Sequence, residues 1–242
     1  MSTRIYHPEI LQQGQIITLS DEASHHLLVV LRFQVGDICI LFDGENTEYQ
    51  VKISSIMKKK VQVLVIRCEQ VNRESPLKIH LAQGIAKGER WIFSLQKAVE
   101  LGVDAITPLW TQHVAYKWDK KVDDKKMDQW RAILISACEQ SGRTQIPLLY
   151  PMQQFPRFIE DHVSENKFIL QPSHGKHWRE LIWHDSKQLT VVIGPEGGFS
   201  DAEYQLALHR QYQGITLGPR VLRTETAVVS ALTILQALHG DL

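Results

Sequence analysis

The sequence predicts a two-part α/β protein, a small N-terminal β-barrel followed by a larger domain on a mostly parallel sheet. Three observations carry this. Up to residue 68, short apolar runs alternate with turn signals, as close-spaced strands do. Residues 69–76, EQVNRESP, are polar and end in proline, a composition suited to a linker. From Leu77 onward strand-like and helix-like stretches alternate, the pattern of βα units. The expected boundaries are 1–72 for the barrel and 77–242 for the second domain.

In the first part, residues 15–19, 37–42, 47–53 and 60–67 are the expected strands. Asp43-Gly44 marks a hairpin and Val35-Gly36-Asp37 another turn. Residues 25–33 differ: Leu27, Leu28, Val30 and Leu31 suit a short helix. Lys58-Lys59-Lys60 falls in a hairpin turn, where solvated charge is the ordinary fate.

In the second part, 78–83 is a strand, and 89–101 has helical spacing (Ile92, Leu95, Val99) stopped by Gly102. A strand at 105–109 precedes a helix at 120–137, strongly charged over 119–126 and closed by Gly142. Residues 167–170, 189–193 and 214–217 are apolar runs bounded by turns, as strands buried on both faces are. Residues 225–238 carry Val228, Val229, Leu232, Leu235 and Leu238 at amphipathic helical spacing.

Bulk properties narrow the function classes. The 242 residues hold 27 basic and 27 acidic side chains, so any nucleic-acid affinity rests on a local patch. Cys39, Cys68 and Cys138 stand far apart with no CxxC pair, which argues against a disulfide framework or a zinc site. No run approaches the roughly 18 apolar residues of a membrane helix, and the first ten residues lack an apolar signal core. A cytoplasmic protein is expected. Eleven histidines include no HExxH or spaced ligand set, and Ser141 and Ser200 lack a GxSxG elbow. No metal and no serine nucleophile are expected.

Two loops carry the chemistry. Ile193-Gly194-Pro195-Glu196-Gly197-Gly198-Phe199-Ser200 follows a buried strand, and Ser200 with Glu203 offers a capping box for the next helix. Its glycines let backbone approach a ligand, although GPEGG is neither a Walker loop nor GxGxxG. Residues 215–227, ITLGPRVLRTETA, repeat the strand–Gly-Pro–helix construction, with Thr224 as the expected N-cap. Loops at strand carboxyl ends of an open parallel sheet form ligand crevices. Arg220 and Arg223 stand before a helix start, where the dipole disfavours cations, so a phosphate or an electron-rich base is the expected partner. Weaker basic groups are Lys87, Arg90 and Lys97 with Glu100, the stretch 139–143, and Arg4, His25, His26 and Arg32 beside the barrel.

The stretches HHLLVVLR (25–32), ELGV (100–103), EQSGR (139–143), GPEGGFS (194–200) and LGPRVLRTETA (217–227), with RIYHP at 4–8, resemble the bacterial small-subunit ribosomal RNA uridine-N3 methyltransferases of the SPOUT superfamily. The resemblance implies a PUA-like RNA-placing barrel, a SPOUT-type α/β domain whose C-terminal strand and loops form a trefoil knot, and a homodimer. It implies S-adenosylmethionine held by three loops: Leu170, Gln171 and Pro172; Ile193, Gly194, Glu196, Gly197 and Gly198; and Leu217, Gly218, Leu222, Thr224, Thr226 and Ala227. Arg223 and Glu225 are the implied catalytic residues, the first to stabilise an ionised uridine and the second to orient groups by hydrogen bonds. Arg4, His26, Arg32, Lys87 and Arg143 are the expected RNA contacts, and small-subunit rRNA within an assembled subunit is the expected partner. The alternatives are a related knotted methyltransferase acting on another rRNA or tRNA nucleotide, and a catalytically silent RNA-binding assembly factor.

Overall fold

The computed structural model describes residues 3–114, 120–173 and 175–242. Asp119 and the side chains of residues 120–123, part of the expected charged stretch, lie outside the described residues. The chain divides into two compact units, one of residues 1–74 with 138–146 and one of 75–137 with 147–242.

The first unit holds a sheet in the order β1-β3-β4-β5-β2, with β1 (Arg4–Tyr6), β2 (Ile16–Thr18), β3 (Ile38–Phe42), β4 (Thr47–Met57) and β5 (Lys60–Gln70). β1 runs parallel to β3 and the other pairs are antiparallel. The alternation of β4 and β5 decides which face is buried. Val51, Ile53, Val61, Val63 and Val65 point into a core with Leu41 and Tyr49, while Lys52 and Ser54 point out. The short helix expected at 25–33 becomes α1 (Asp21–His25), capped by Ser20, which runs into a π-helical turn His26–Val30.

Residues 69–76 are not a slack linker, since β5 continues to Gln70 and the next residues are tied down. Arg4 and Arg73 both pair with Glu48, Arg143 pairs with Glu74, and Arg73 donates to the Gly142 carbonyl at 2.9 Å. Burial alone would raise the Glu48 carboxyl, but the Arg73 and Arg4 guanidiniums outweigh it and hold the pKa below its ordinary value. These bonds draw residues 138–146 into the first unit, a grouping that nothing in their local composition announces.

In the second unit every described strand pairing is parallel. The order β11-β13-β10-β12-β6-β7-β8 uses β6 (Lys78–Gly84), β7 (Ala105–Trp110), β8 (Leu148–Leu149), β10 (Asn166–Leu170), β11 (Lys176–His177), β12 (Gln188–Ile193) and β13 (Gln213–Thr216). β9 (Gln153–Gln154) pairs with β7 beyond β8. Buried positions run almost unbroken along β6, β7, β10 and β12, which is why they read as continuous apolar stretches. α4 (Phe155–Asp161) and α5 (Asp201–His209) cover the face bearing Ala82, Ile169 and Val192. α2 (Glu89–Glu100) and α6 (Thr224–His239) pack on one another, and α6 reaches β12. α3 (Lys120–Ser141) ends at Gly142, whose φ of 84° is the left-handed stop the sequence expects.

Candidate active site

Three adjacent strands, β13, β10 and β12, end side by side, so their outgoing loops meet. Hydrogen bonds lock the loops together. Gln171 N donates to Ile215 O at 2.9 Å, and Thr216 Oγ1 donates to Gly218 O at 3.0 Å. Thr224 Oγ1 donates to Gly194 O at 2.7 Å, joining the third loop to the second.

The second loop owes its shape to glycine twice. Gly198 sits at φ +69°, a conformation disfavoured for residues with a Cβ. A Cβ on Gly197 would stand 2.7 Å from His113 Cβ, and His113 Nδ1 lies 3.0 Å from the Gly197 carbonyl oxygen. The loop closes through Gly198 N donating to Pro195 O at 2.9 Å. It then enters α5 by the expected capping box: Ser200 N donates to Glu203 Oε2 at 2.9 Å and Glu203 N to Ser200 Oγ at 3.3 Å. Glu203 is buried and also accepts from Gln112 N at 2.8 Å.

Between the loops lies a cleft of about 620 Å³, within the range of small-molecule sites. Its wall takes Leu170, Gln171 and Pro172 from the first loop, and Ile193, Gly194, Glu196, Gly197 and Gly198 from the second. From the third come Leu217, Leu222, Thr224 and Ala227. Gly218 and Thr226 are not in the wall, and Thr226 faces outward. Thr224 is not the N-cap: Arg223 occupies that position and Thr224 is the first helical residue, which frees its hydroxyl for Gly194.

The charges are arranged around the rim. Arg220 and Arg223 are exposed wall residues that make no ion pair among the described residues. Arg90, also in the wall, stands between two carboxylates, its Nη1 3.4 Å from Glu196 Oε1 and its Nε 3.9 Å from Glu225 Oε1. Glu196 further accepts from Lys87 N at 2.9 Å. Glu225 lies beside the wall rather than in it, and its Oε2 is buried without a hydrogen-bond partner among the described residues. Arg90 and Asp201 are cleft residues absent from the expected cofactor set. The signal for Arg90 was its place one residue into a helix that follows β6, since β6 neighbours β12.

The RNA contacts expected from sequence divide in two. Arg32, His26 and Lys87 are exposed. Arg4 and Arg143 are buried inside the first unit and are corrected as RNA clamps, because their guanidiniums are spent on Glu48 and Glu74. Arg4 also donates to the Arg143 carbonyl at 3.0 Å and lies 4.9 Å over the Phe42 ring. Among the described residues no group of three or more His, Cys, Asp or Glu could hold a metal, and no helix is long and apolar enough to cross a membrane.

The family profile described as an RNA methyltransferase domain matches residues 73–236, and the RNA methyltransferase PUA domain matches residues 19–66. Ribosomal RNA small subunit methyltransferase E of Buchnera aphidicola is 38% identical over 99% of this chain and 97% of its own length. The Bacillus subtilis protein of that name is 30% identical over 96% of this chain and 95% of its own. A methyltransferase of Legionella pneumophila, solved in complex with the cofactor SAM, superposes with a TM-score of 0.96 at 47% identity, covering 100% of both chains. Ribosomal RNA small subunit methyltransferase E from Neisseria gonorrhoeae, bound to S-adenosyl methionine, gives 0.92 at 36% identity over 100% of this chain and 99% of its own.

Proposed function

Because the chain belongs to the family of ribosomal RNA small subunit methyltransferase E, we propose that it methylates N3 of a uridine in small-subunit rRNA with S-adenosylmethionine as donor. The observation that carries the proposal is a cleft lined by three interlocked loops, with two guanidiniums on its rim, Arg220 and Arg223, that make no ion pair among the described residues.

The residues present fit such a cofactor. Leu170, Ile193, Leu217 and Leu222 offer apolar walls for an adenine, beside glycine backbone that a ligand can approach closely. Glu196 and Asp201 offer negative charge to an ammonium and a sulfonium, and Arg220 on the rim offers positive charge to a carboxylate. When bound, the cofactor supplies a methyl group already activated by its sulfonium.

The chain's own residues then hold the pyrimidine and stabilise it as it ionises, its N3 proton passing to solvent. Loss of the N3 proton spreads negative charge onto the uracil carbonyl oxygens. Arg223 stabilises that charge without giving up a proton of its own. Glu225 is a positioning residue, since its Oε1 faces Arg90 at 3.9 Å and it stays outside the cleft wall. Arg32, His26 and Lys87 contribute RNA contacts from exposed positions.

The same reading includes a trefoil knot, a homodimer and a cytoplasmic location. Support for the knot is that β13 lies between β10 and β11, strands joined directly by residues 171–175, so the C-terminal stretch enters a span of chain already laid down. An assembled small subunit is the favoured substrate, because a chain of zero net charge has little general attraction for free RNA. The test offers labelled cofactor with assembled subunits and with naked rRNA, followed by nucleoside mass spectrometry. 3-Methyluridine from the subunit is the expected product. A methylated ribose or a methylated guanine would overturn the uridine assignment, and absence of cofactor binding by calorimetry would leave a silent assembly factor.

A further inference from the structure

Three acids and three arginines share the mouth of the cleft: Glu196 and Asp201 with Arg90, Arg220 and Arg223 in the wall, and Glu225 beside it. Their pairing is uneven. Arg90 faces two carboxylates, Nη1 towards Glu196 and Nε towards Glu225, whereas Arg220 and Arg223 pair with none among the described residues. Position would favour the opposite assignment. Glu225 is only two residues beyond Arg223, and Glu196 shares a wall with both rim arginines. Arg90 comes instead from the first turn of α2, where the helix dipole disfavours a cation.

Stability does not account for the double pairing. The Arg90 side chain is 45% exposed and stands 3.4 and 3.9 Å from its partners, and ion pairs of that kind contribute little. What a guanidinium fork does provide is one side chain that faces two carboxylates at once, which an ammonium does less well. Glu196 is steadied further by Lys87 N at 2.9 Å. Glu225 has no second cation among the described residues, and its Oε2 is buried without a hydrogen-bond partner there. A carboxylate in that condition takes a guanidinium within its reach. Asp201, exposed in the first turn of α5, is already matched by the dipole of that helix.

We propose that Arg90 is a positioning residue of the methyl-transfer site: by engaging Glu196 and Glu225 it keeps them from closing on Arg223, whose guanidinium stays open to the substrate. The proposal rests on the reading that Arg223 meets an ionised base. A guanidinium already paired with a carboxylate has less positive field to offer a developing anion. Arg90 thus acts through Arg223 rather than on the base, and the pairing of one arginine sets the effectiveness of another.

The experiment takes two readouts from the full-length chain. Methyl transfer to assembled small subunits gives kcat. Phenylglyoxal, a dicarbonyl that adds to unpaired guanidiniums, gives the labelling rate of Arg223 by peptide mass spectrometry. Arg90→Gln is expected to lower kcat about tenfold, within the coupling seen between members of one charge network, and to slow Arg223 labelling several-fold. Its melting temperature and its cofactor affinity by calorimetry are expected to stay near the parent's. Arg90→Lys, which keeps the charge but not the fork, is expected to fall between the two.

Adding Glu225→Gln to Arg90→Gln removes the competing carboxylate. Labelling and kcat are then expected to return most of the way to the level of Glu225→Gln alone, Glu196 being still held by Lys87 N. Parent-like labelling of Arg223 in Arg90→Gln overturns the proposal. So does a loss of kcat that Glu225→Gln does not relieve, or one matched by a loss of cofactor affinity, which would make Arg90 a brace of the loops. A parent that binds cofactor yet methylates no subunit RNA sinks the functional reading instead, and the labelling rates still decide whether Arg90 keeps Arg223 open.

Discussion

Arg223 combines three properties: it is the N-cap of α6, it lies in the cleft wall, and it makes no ion pair among the described residues. A guanidinium beside the positive end of a helix dipole is tolerated where an anion completes it, and an ionised pyrimidine is such an anion. Arg223→Ala is therefore expected to lower kcat by about 10²–10³, the usual loss for one oxyanion-stabilising donor. Cofactor affinity by calorimetry should stay near the parent value, and turnover near the parent rate would remove Arg223 from the chemistry. At the same scale, sequence pattern pointed to the second and third loops and the family resemblance to the first, whereas Gly218 and Thr226 lie outside the cleft wall. The fate of Arg4 and Arg143 was not legible. An arginine looks the same in sequence whether it faces phosphate or a carboxylate 44 residues away, as Arg4 faces Glu48.

Thr224 shows what one hydroxyl does for an element. It is buried, begins α6, and donates to the Gly194 carbonyl, so one bond sets both the helix start and the glycine loop. Thr224→Val keeps the shape and removes the donor, at an expected cost of about 1–3 kcal/mol for a buried unsatisfied carbonyl. Thermal unfolding should report that loss together with weaker cofactor binding, and Thr224→Ser should recover most of both. Gly198→Ala tests the loop itself: a Cβ at φ +69° is strained, so about 1 kcal/mol and a large part of the cofactor affinity should go. Parent-like calorimetry for that variant would show that the loop backbone does not meet the cofactor. The elements were legible in sequence because strand and helix periods and the capping box are local. The π-helical turn was not, since HHLLVV has the apolar spacing of an ordinary helix.

On the scale of the whole molecule, the two units respond to acid for different reasons. In the second unit the His80 and His162 rings meet edge to face, centroids 4.8 Å apart and planes at 85°, with their Nε2 atoms against Thr107 and Thr190 hydroxyls. Burial, with a smaller push from His162, lowers the His80 pKa from 6.5 to about 3. Both rings stay neutral in the folded chain while the unfolded chain takes up protons. The resulting stability is complete above pH 6.5 and is lost as pH falls from there towards about 3. Melting temperature should drop between pH 7.5 and 5, and His80→Gln should flatten that slope; an equally steep slope in the variant would place the sensitivity elsewhere. The first unit should lose stability at lower pH, where the depressed Glu48 carboxyl protonates. Glu48→Gln leaves the buried Arg4 guanidinium uncompensated, an expected cost of about 3–5 kcal/mol in chemical denaturation. A loss under about 1 kcal/mol would show that the network contributes little.

By itself the sequence determined the longer strands and helices, the two Gly-Pro loops after β12 and β13, and the left-handed stops at Gly102 and Gly142, because each depends on residues a few positions apart. β1, β8, β9, β11 and α4 carried no such local signal. Tertiary structure alone decided that β13 lies between β10 and β11, that residues 138–146 join the first unit, and that Arg143 is spent on Glu74. Those outcomes depend on burial and pairing between residues as much as 139 positions apart, as with Arg4 and the Arg143 carbonyl. The cost of leaving a guanidinium unpaired out of water is set by whichever carboxylate the fold delivers, and no local pattern encodes that delivery.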